Sequence, residues 1–188
     1  MKEVKFNLNN KSQIFSTDLI VAVIVFIFII ITSAWFWDAT KENMALSEQR
    51  NDLELIAHNA VSVLINTVGD PPNWHKIEFN DSTVYSIGIG KNRPWFIDLN
   101  KAQRLEDVDY NLTKRILGIR GPNYEFFLNV SMFNKSSQEF EDVSIVGNFP
   151  NESSAFVINV ERTMLSDVDD SWVNFKMLVW NKCEGVLC

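Results

Sequence analysis

Histidine and cysteine are nearly missing from this chain, with two of each in 188 residues. His58 lies in a helix-forming stretch and His75 just after Pro71-Pro72, and each reads as structural or solvated. No histidine–carboxylate–nucleophile spacing is present, which argues against an enzyme. Cys183 and Cys188 cannot build a structural zinc site alone, and no cofactor or metal is expected. Basic charge is also short: the formal charge is −7, so no nucleic-acid footprint is present. Gly88-Ile-Gly90 lacks the third glycine of a dinucleotide fingerprint. Asp167, Asp169 and Asp170 lack the glycine and twelfth-position glutamate of an EF-hand loop, and read as a solvated hairpin tip. Glycine and proline are absent ahead of Gly69, which leaves nothing to break a helix there.

What the chain does contain is a long apolar run. Leu19 to Trp37 (LIVAVIVFIFIIITSAWFW) carries no charge and spans roughly 28 Å as a helix, close to the hydrocarbon thickness of a bilayer. Trp35, Phe36 and Trp37 close it with aromatics suited to a membrane–water boundary. A cleaved secretory signal would have an apolar core of about 7–15 residues and small residues at its cut site. This run is longer and ends in bulky rings, so it stays attached. Lys2, Lys5 and Lys11 precede it, while the chain from Asp38 onward holds 14 basic and 22 acidic residues. That asymmetry places the N-terminus in the cytoplasm and the acidic remainder outside, in a single pass of the cell membrane. Sequons at Asn80, Asn111, Asn129, Asn134 and Asn151 all follow the run, which fits an exterior face open to glycosylation, although a chain rich in Asn and Ser also produces sequons by chance. Only Asn10 precedes it.

Beyond Trp37 the pattern becomes amphipathic. Leu46, Leu53, Ile56, Ala57, Ala60, Val61, Leu64 and Val68 recur at three- and four-residue steps, before Gly69-Asp-Pro-Pro stops the helix. The reading is one helix over 14–68, roughly 80 Å if straight. In the remaining 120 residues, Thr83–Gly88 reads as a short strand, Asp109–Leu117 as a helix and Gly118 as its stop. The runs 124–133, 142–146, 154–165 and 171–180 are rich in β-branched and aromatic residues and read as strands. The expected fold is α+β: a long N-terminal helix whose amphipathic half, Leu53–Val68, covers an antiparallel β-sheet head. The expected divisions are a leader over 1–12, the helix over 13–68 and the head over 69–188. Cys183 and Cys188 enclose four residues, and an exterior disulfide is favoured over two thiols in a frayed tail.

The N-terminal segment carries a resemblance. A short basic leader, a small residue, glutamine, and an acidic residue shortly before about twenty apolar residues is similar to the class III signal of archaeal type IV pilins and pilin-like proteins. Here those features are Ser12, Gln13, the stretch Gln13-Ile-Phe-Ser-Thr-Asp18, and the run from Leu19. Ser12 stands where glycine is usual and Asp18 where glutamate is usual. The head layout, with LINTVGDPPNW, NRPWFIDLNK, YEFFLNV and a final FKMLVW, also resembles archaeal pilin-like membrane proteins. The resemblance implies that a prepilin peptidase removes the leader and leaves the hydrophobic helix attached. Cleavage between Ser12 and Gln13 makes Asp18 the sixth mature residue, and cleavage after Gln13 makes it the fifth. The resemblance further implies pairing of Asp18 with the freed α-amino group, setting subunit register. The bland alternative is a hydrated Asp18 at headgroup depth. The expected function is a type IV pilin-like subunit, a minor pilin among the options, meeting other pilin-like subunits and their assembly machinery in a surface filament. The alternative is a permanent single-pass membrane protein whose exterior domain binds a ligand or partner.

Overall fold

With no glycine or proline to interrupt it, the N-terminal part of the chain forms one continuous helix. The computed structural model describes residues 10–78, 83–121, 123–151 and 154–182, and in it α1 runs from Asn10 to Asn66. It starts ahead of the expected position and stops two residues before Val68. The chain divides into two compact units, Met1–Glu48 and Gln49–Cys188. In the first unit the apolar run is exposed all round, from Leu19 at 66% to Trp37 at 62%. Leu46 is exposed as well, at 45%, so the buried stripe begins only at Leu53.

In the second unit α1 presents a narrow stripe of Leu53, Ala57, Ala60, Val61 and Leu64, each at most 2% exposed. These residues share one core with Phe126, Leu128, Val130, Val160, Met164, Val173, Phe175, Met177 and Val179 of the sheet. Their three- and four-residue spacing places all five on one helix face. Alternation in the strands sends every second side chain toward that face.

The sheet has five strands in the order β1-β4-β5-β2-β3, with β1 Phe96–Ile97, β2 Tyr124–Asn134, β3 Glu139–Val146, β4 Ser154–Ser166 and β5 Trp172–Lys182. The hairpins β2–β3 and β4–β5 and the central β2–β5 pair are antiparallel, whereas β1 lies parallel to β4. The sheet is therefore mixed rather than antiparallel throughout. Between β1 and β2 stand two short helices, α2 Leu99–Arg104 and α3 Tyr110–Ile116. Asp98 caps α2 by accepting from the Asn100 and Lys101 amides, and Asp109 caps α3 by accepting from Leu112 N–H. Gly118, at φ 74°, closes α3: its N–H donates to Arg115 O and that of Ile119 to Lys114 O. This six-to-one and five-to-two pairing is a Schellman ending.

The stretch expected as a strand over 83–88 is not one. It forms a single bridge, Asp70 to Ser86, and runs past the C-terminal end of α1, where Ile89 N–H donates to Leu64 O at 2.7 Å. A Cβ on Gly88 or Gly90 would lie 2.3 Å from the Thr67 or Ile65 carbonyl oxygen. Close backbone approach, not phosphate binding, accounts for both glycines.

Tyr110 closes the top of the sheet. Because β3 ends at Val146 opposite Leu128, Phe126 has no β3 partner, and the Tyr110 hydroxyl takes that place. It accepts from Phe126 N–H at 3.0 Å, lies 3.1 Å from Phe126 O and donates to Glu125 Oε2 at 2.5 Å. The ring stacks on Phe126 at 4.8 Å. Gly147, at φ 82°, lets the chain pass: a Cβ there would stand 2.4 Å from Phe126 O. Burial, followed by the Glu125 bond, pushes the Tyr110 hydroxyl above its ordinary pKa. Its contribution is thus complete below about pH 10 and declines at higher pH. Tyr110→Phe is expected to cost about 1–3 kcal/mol, because Phe126 N–H loses its acceptor. A lowered urea midpoint at unchanged slope is the readout.

Candidate functional site

The feature that sets this chain apart is the exposed apolar segment of α1. The Thr32 hydroxyl inside it, and Thr40 and Asn43 just beyond it, are turned back onto the helix. Thr32 Oγ1 lies 2.9 Å from Phe28 O and 3.0 Å from Ile29 O, so its proton has an acceptor inside the apolar run. Thr40 Oγ1 donates to Phe36 O at 2.7 Å and Asn43 Nδ2 to Ala39 O at 2.9 Å. A helix that satisfies its own backbone, and at Thr32 a hydroxyl as well, is suited to a medium without water. One helix is long and apolar enough to cross a membrane, by length and composition.

Charges mark the two ends of the run. Asp18 is exposed one residue before Leu19. At the other end Lys41 Nζ sits 5.6 Å from the Trp37 ring centroid, a cation–π contact. Ser12 and Gln13 fall within the first turns of α1.

The remaining expected sites are scattered. Asn111 is exposed in α3 and Asn151 follows β3 in an exposed stretch. Asn129 Nδ2 donates to Asp142 Oδ1 at 2.8 Å across β2–β3, and Asn134 Nδ2 to Glu141 Oε1 at 2.6 Å beside the hairpin turn. Asn80, Cys183 and Cys188 lie outside the described residues. Asp167 pairs with Lys91 and accepts from Leu99 N–H. Asp169 accepts from the Ser171 hydroxyl and amide, which hold its carboxyl below the usual range. Asp167 thus ties the β4–β5 turn to β1 and α2, while Asp169 braces the turn itself.

Among the described residues no three His, Cys, Asp or Glu side chains gather as a metal site requires. His58 is exposed, 4.0 Å from Glu54 one turn away. His75 packs edge-on to Trp74 and its pKa is lowered, chiefly by burial. A surface cavity of about 580 Å³ is lined by Tyr110, Glu125, Phe149, Asn151 and Trp180. Its acidic group, Glu125, is already bonded to Tyr110 and lies 3.4 Å from Lys114 Nζ.

Two residues matter more than sequence reading indicated. Lys101 is 5% exposed and its ammonium donates to Val68 O at 2.6 Å, just past the end of α1. There the cation meets the negative end of the helix, while burial lowers its pKa. Tyr110 reads as an ordinary apolar helix position until its hydroxyl is seen on Phe126. Nothing in the local sequence marks either role, because both partners are distant in the chain. Comparison of the chain with family models, with curated proteins and with solved structures finds no match.

Proposed function

We propose that this protein is a type IV pilin-like subunit, inserted as a membrane precursor and assembled through its N-terminal hydrophobic helix. The observation that carries the reading is the single helix Asn10–Asn66, apolar and exposed over Leu19–Trp37 and part of a sheet-covering core from Leu53. An all-round apolar helix segment belongs in lipid or among like helices, and an amphipathic one belongs on a folded domain. One helix supplies both stretches. The class III signal around Ser12-Gln13 supplies the means of leaving the membrane. A prepilin peptidase would free the α-amino group on the cytoplasmic side, and other pilin-like subunits and the assembly machinery would then receive the helix. The head would stay outside, carrying any glycans.

Mass spectrometry of the mature N-terminus tests this reading. A chain beginning at Gln13 or Ile14 supports it. An intact leader rejects it and directs attention to the permanent single-pass membrane protein with a ligand- or partner-binding head.

A further inference from the structure

One turn of the head holds a strained residue whose side chain is left in water. The turn Arg93–Phe96 is closed by Phe96 N–H donating to Arg93 O at 3.3 Å, with Pro94 second and Trp95 third. Trp95 sits there at φ 70°, a value that favours glycine at the third position of a turn. A bulky residue at positive φ is a backbone outlier, and such outliers mark functional sites where the surroundings hold them in place. Trp95 is so held: its carbonyl accepts from Leu165 N–H at 2.8 Å, where β1 meets β4. Yet Trp95 is 73% exposed, so packing of the ring is not what the conformation secures. The residue lines two adjoining clefts, of about 510 and 320 Å³, which also share Ile65, Asn66 and Pro94. In a chain with 24 acidic and 17 basic residues, neither lining includes a carboxylate among the described residues. Each includes a guanidinium, Arg93 in the larger cleft and Arg162 in the smaller. Arg93 lies over the Phe96 ring at 4.0 Å and Arg162 donates to Glu161 O at 2.9 Å. Among the described residues neither is paired with a carboxylate. Lys91, by contrast, is already taken by Asp167 and Asp98.

We propose that this face binds an acidic polysaccharide, with Trp95 under the C–H face of one sugar and Arg93 and Arg162 meeting carboxylates in the two clefts. Three features point to that class. A guanidinium without a carboxylate in each cleft calls for anions, best a carboxylate met by two parallel N–H donors. The exposed indole calls for a flat surface of low polarity, because its negative π-face attracts the polarised C–H groups of a pyranose ring. The neutral polar groups call for hydroxyls. The Asn92 amide has no partner among the described residues, Asn66 Oδ1 has no donor, and Thr163 adds a hydroxyl. A chain that repeats ring faces, hydroxyls and carboxylates supplies all three, and two clefts along one ring suit consecutive units rather than a single small anion. A nucleic acid also offers rings and anions, but its dense charge is repelled by a protein at −7. The proposal goes beyond the filament reading and does not depend on leader removal, so the failure of either leaves the other in place.

The test titrates the full-length chain, in a detergent without sugar headgroups, with a galacturonate oligosaccharide in a calorimeter. Binding that weakens as salt is raised is expected. A neutral glucose oligosaccharide of the same length is expected to bind at least about tenfold more weakly. Arg93→Gln and Arg162→Gln are each expected to lower the affinity for galacturonate about tenfold or more, the usual loss for one hydrogen-bonded charge, and to flatten the salt dependence. Trp95→Gly removes the ring and relieves the positive φ, while keeping the carbonyl that Leu165 N–H uses. It is expected to lower the affinity at least about tenfold with the urea midpoint unchanged or raised, whereas loss of a packing residue would lower that midpoint. Phe140→Ala, which truncates an exposed ring on β3, is expected to bind as the unmodified chain does. No binding of galacturonate, equal binding of the neutral oligosaccharide, or a loss of affinity in Phe140→Ala overturns the proposal. So does retained binding, or a lowered midpoint, in Trp95→Gly. Tighter binding of a single-stranded DNA oligonucleotide overturns it too, and assigns the face to nucleic acid.

Discussion

Asp18→Ala is expected to leave membrane insertion intact and to abolish incorporation into filaments. A carboxylate at the edge of an apolar helix costs about 2.5–3.5 kcal/mol on insertion scales if drawn into the bilayer, so its removal eases insertion. In the proposed assembly the same carboxylate is the partner of the α-amino group freed by leader cleavage. Taking away one member of a buried pair leaves the other uncompensated, a loss of about 3–5 kcal/mol. That corresponds to a fall in subunit incorporation of roughly 100-fold or more. Immunoblots of the membrane and sheared-filament fractions measure both quantities in one preparation. Asp18→Glu is expected to restore incorporation and Asp18→Asn is not, since charge rather than size is at issue. Incorporation of Asp18→Ala at the unmodified level would remove Asp18 as a register element.

Trp74→Ala should weaken the head by about 3–5 kcal/mol, a large share of a domain's usual 5–15 kcal/mol. Trp74 begins the 3-10 turn Trp74–Lys76 after α1 and is wholly buried. Its indole N–H donates to Gly88 O at 3.0 Å, which joins the end of α1 to the extended stretch beside it. Gly69, at φ 80°, lies directly beneath: a Cβ there would stand 2.5 Å from Trp74 Cδ1. Truncation therefore opens a cavity and leaves the Gly88 carbonyl unpaired. Trp74→Phe keeps most of the apolar contact and is expected to lose only about 1–3 kcal/mol. Urea unfolding of the full-length chain in detergent, followed by circular dichroism of the sheet, separates the two. Equal midpoints for Trp74→Ala and the unmodified chain would contradict the packing described here.

Much of this architecture is visible in local pattern. A chain without glycine or proline before residue 69 makes a long helix, and three- and four-residue apolar steps mark the stripe from Leu53 to Leu64. Enrichment in β-branched and aromatic residues locates β2, β4 and β5 closely, since such side chains suit a half-covered pleated surface. Asp98 and Asp109 begin α2 and α3 by bonding their own first turns, and Gly118 ends α3 by adopting positive φ. The candidate site is the most legible part. The length and chargelessness of Leu19–Trp37, with Asp18 before it and Lys41 after it, are properties of neighbouring residues.

Other features come only from contacts between residues far apart in the chain. Leu46 fits the apolar periodicity yet is exposed, because periodicity records a face and not whether anything packs on it. Val84 to Gly88 has strand-like composition, but its partners are Asp70, Trp74 and the end of α1, so it forms no ladder. The pairing of β1 with β4 spans about 70 residues and makes the sheet mixed, and no local signal carries such a register. The same pairing stops after two residues where Trp95 turns away, while on the opposite edge Glu106 takes the N–H of Ile145. Residue type and spacing decide the helix and the apolar run because those are nearest-neighbour effects. Strand order and the Tyr110 closure are decided by which backbone groups find partners once the chain has folded.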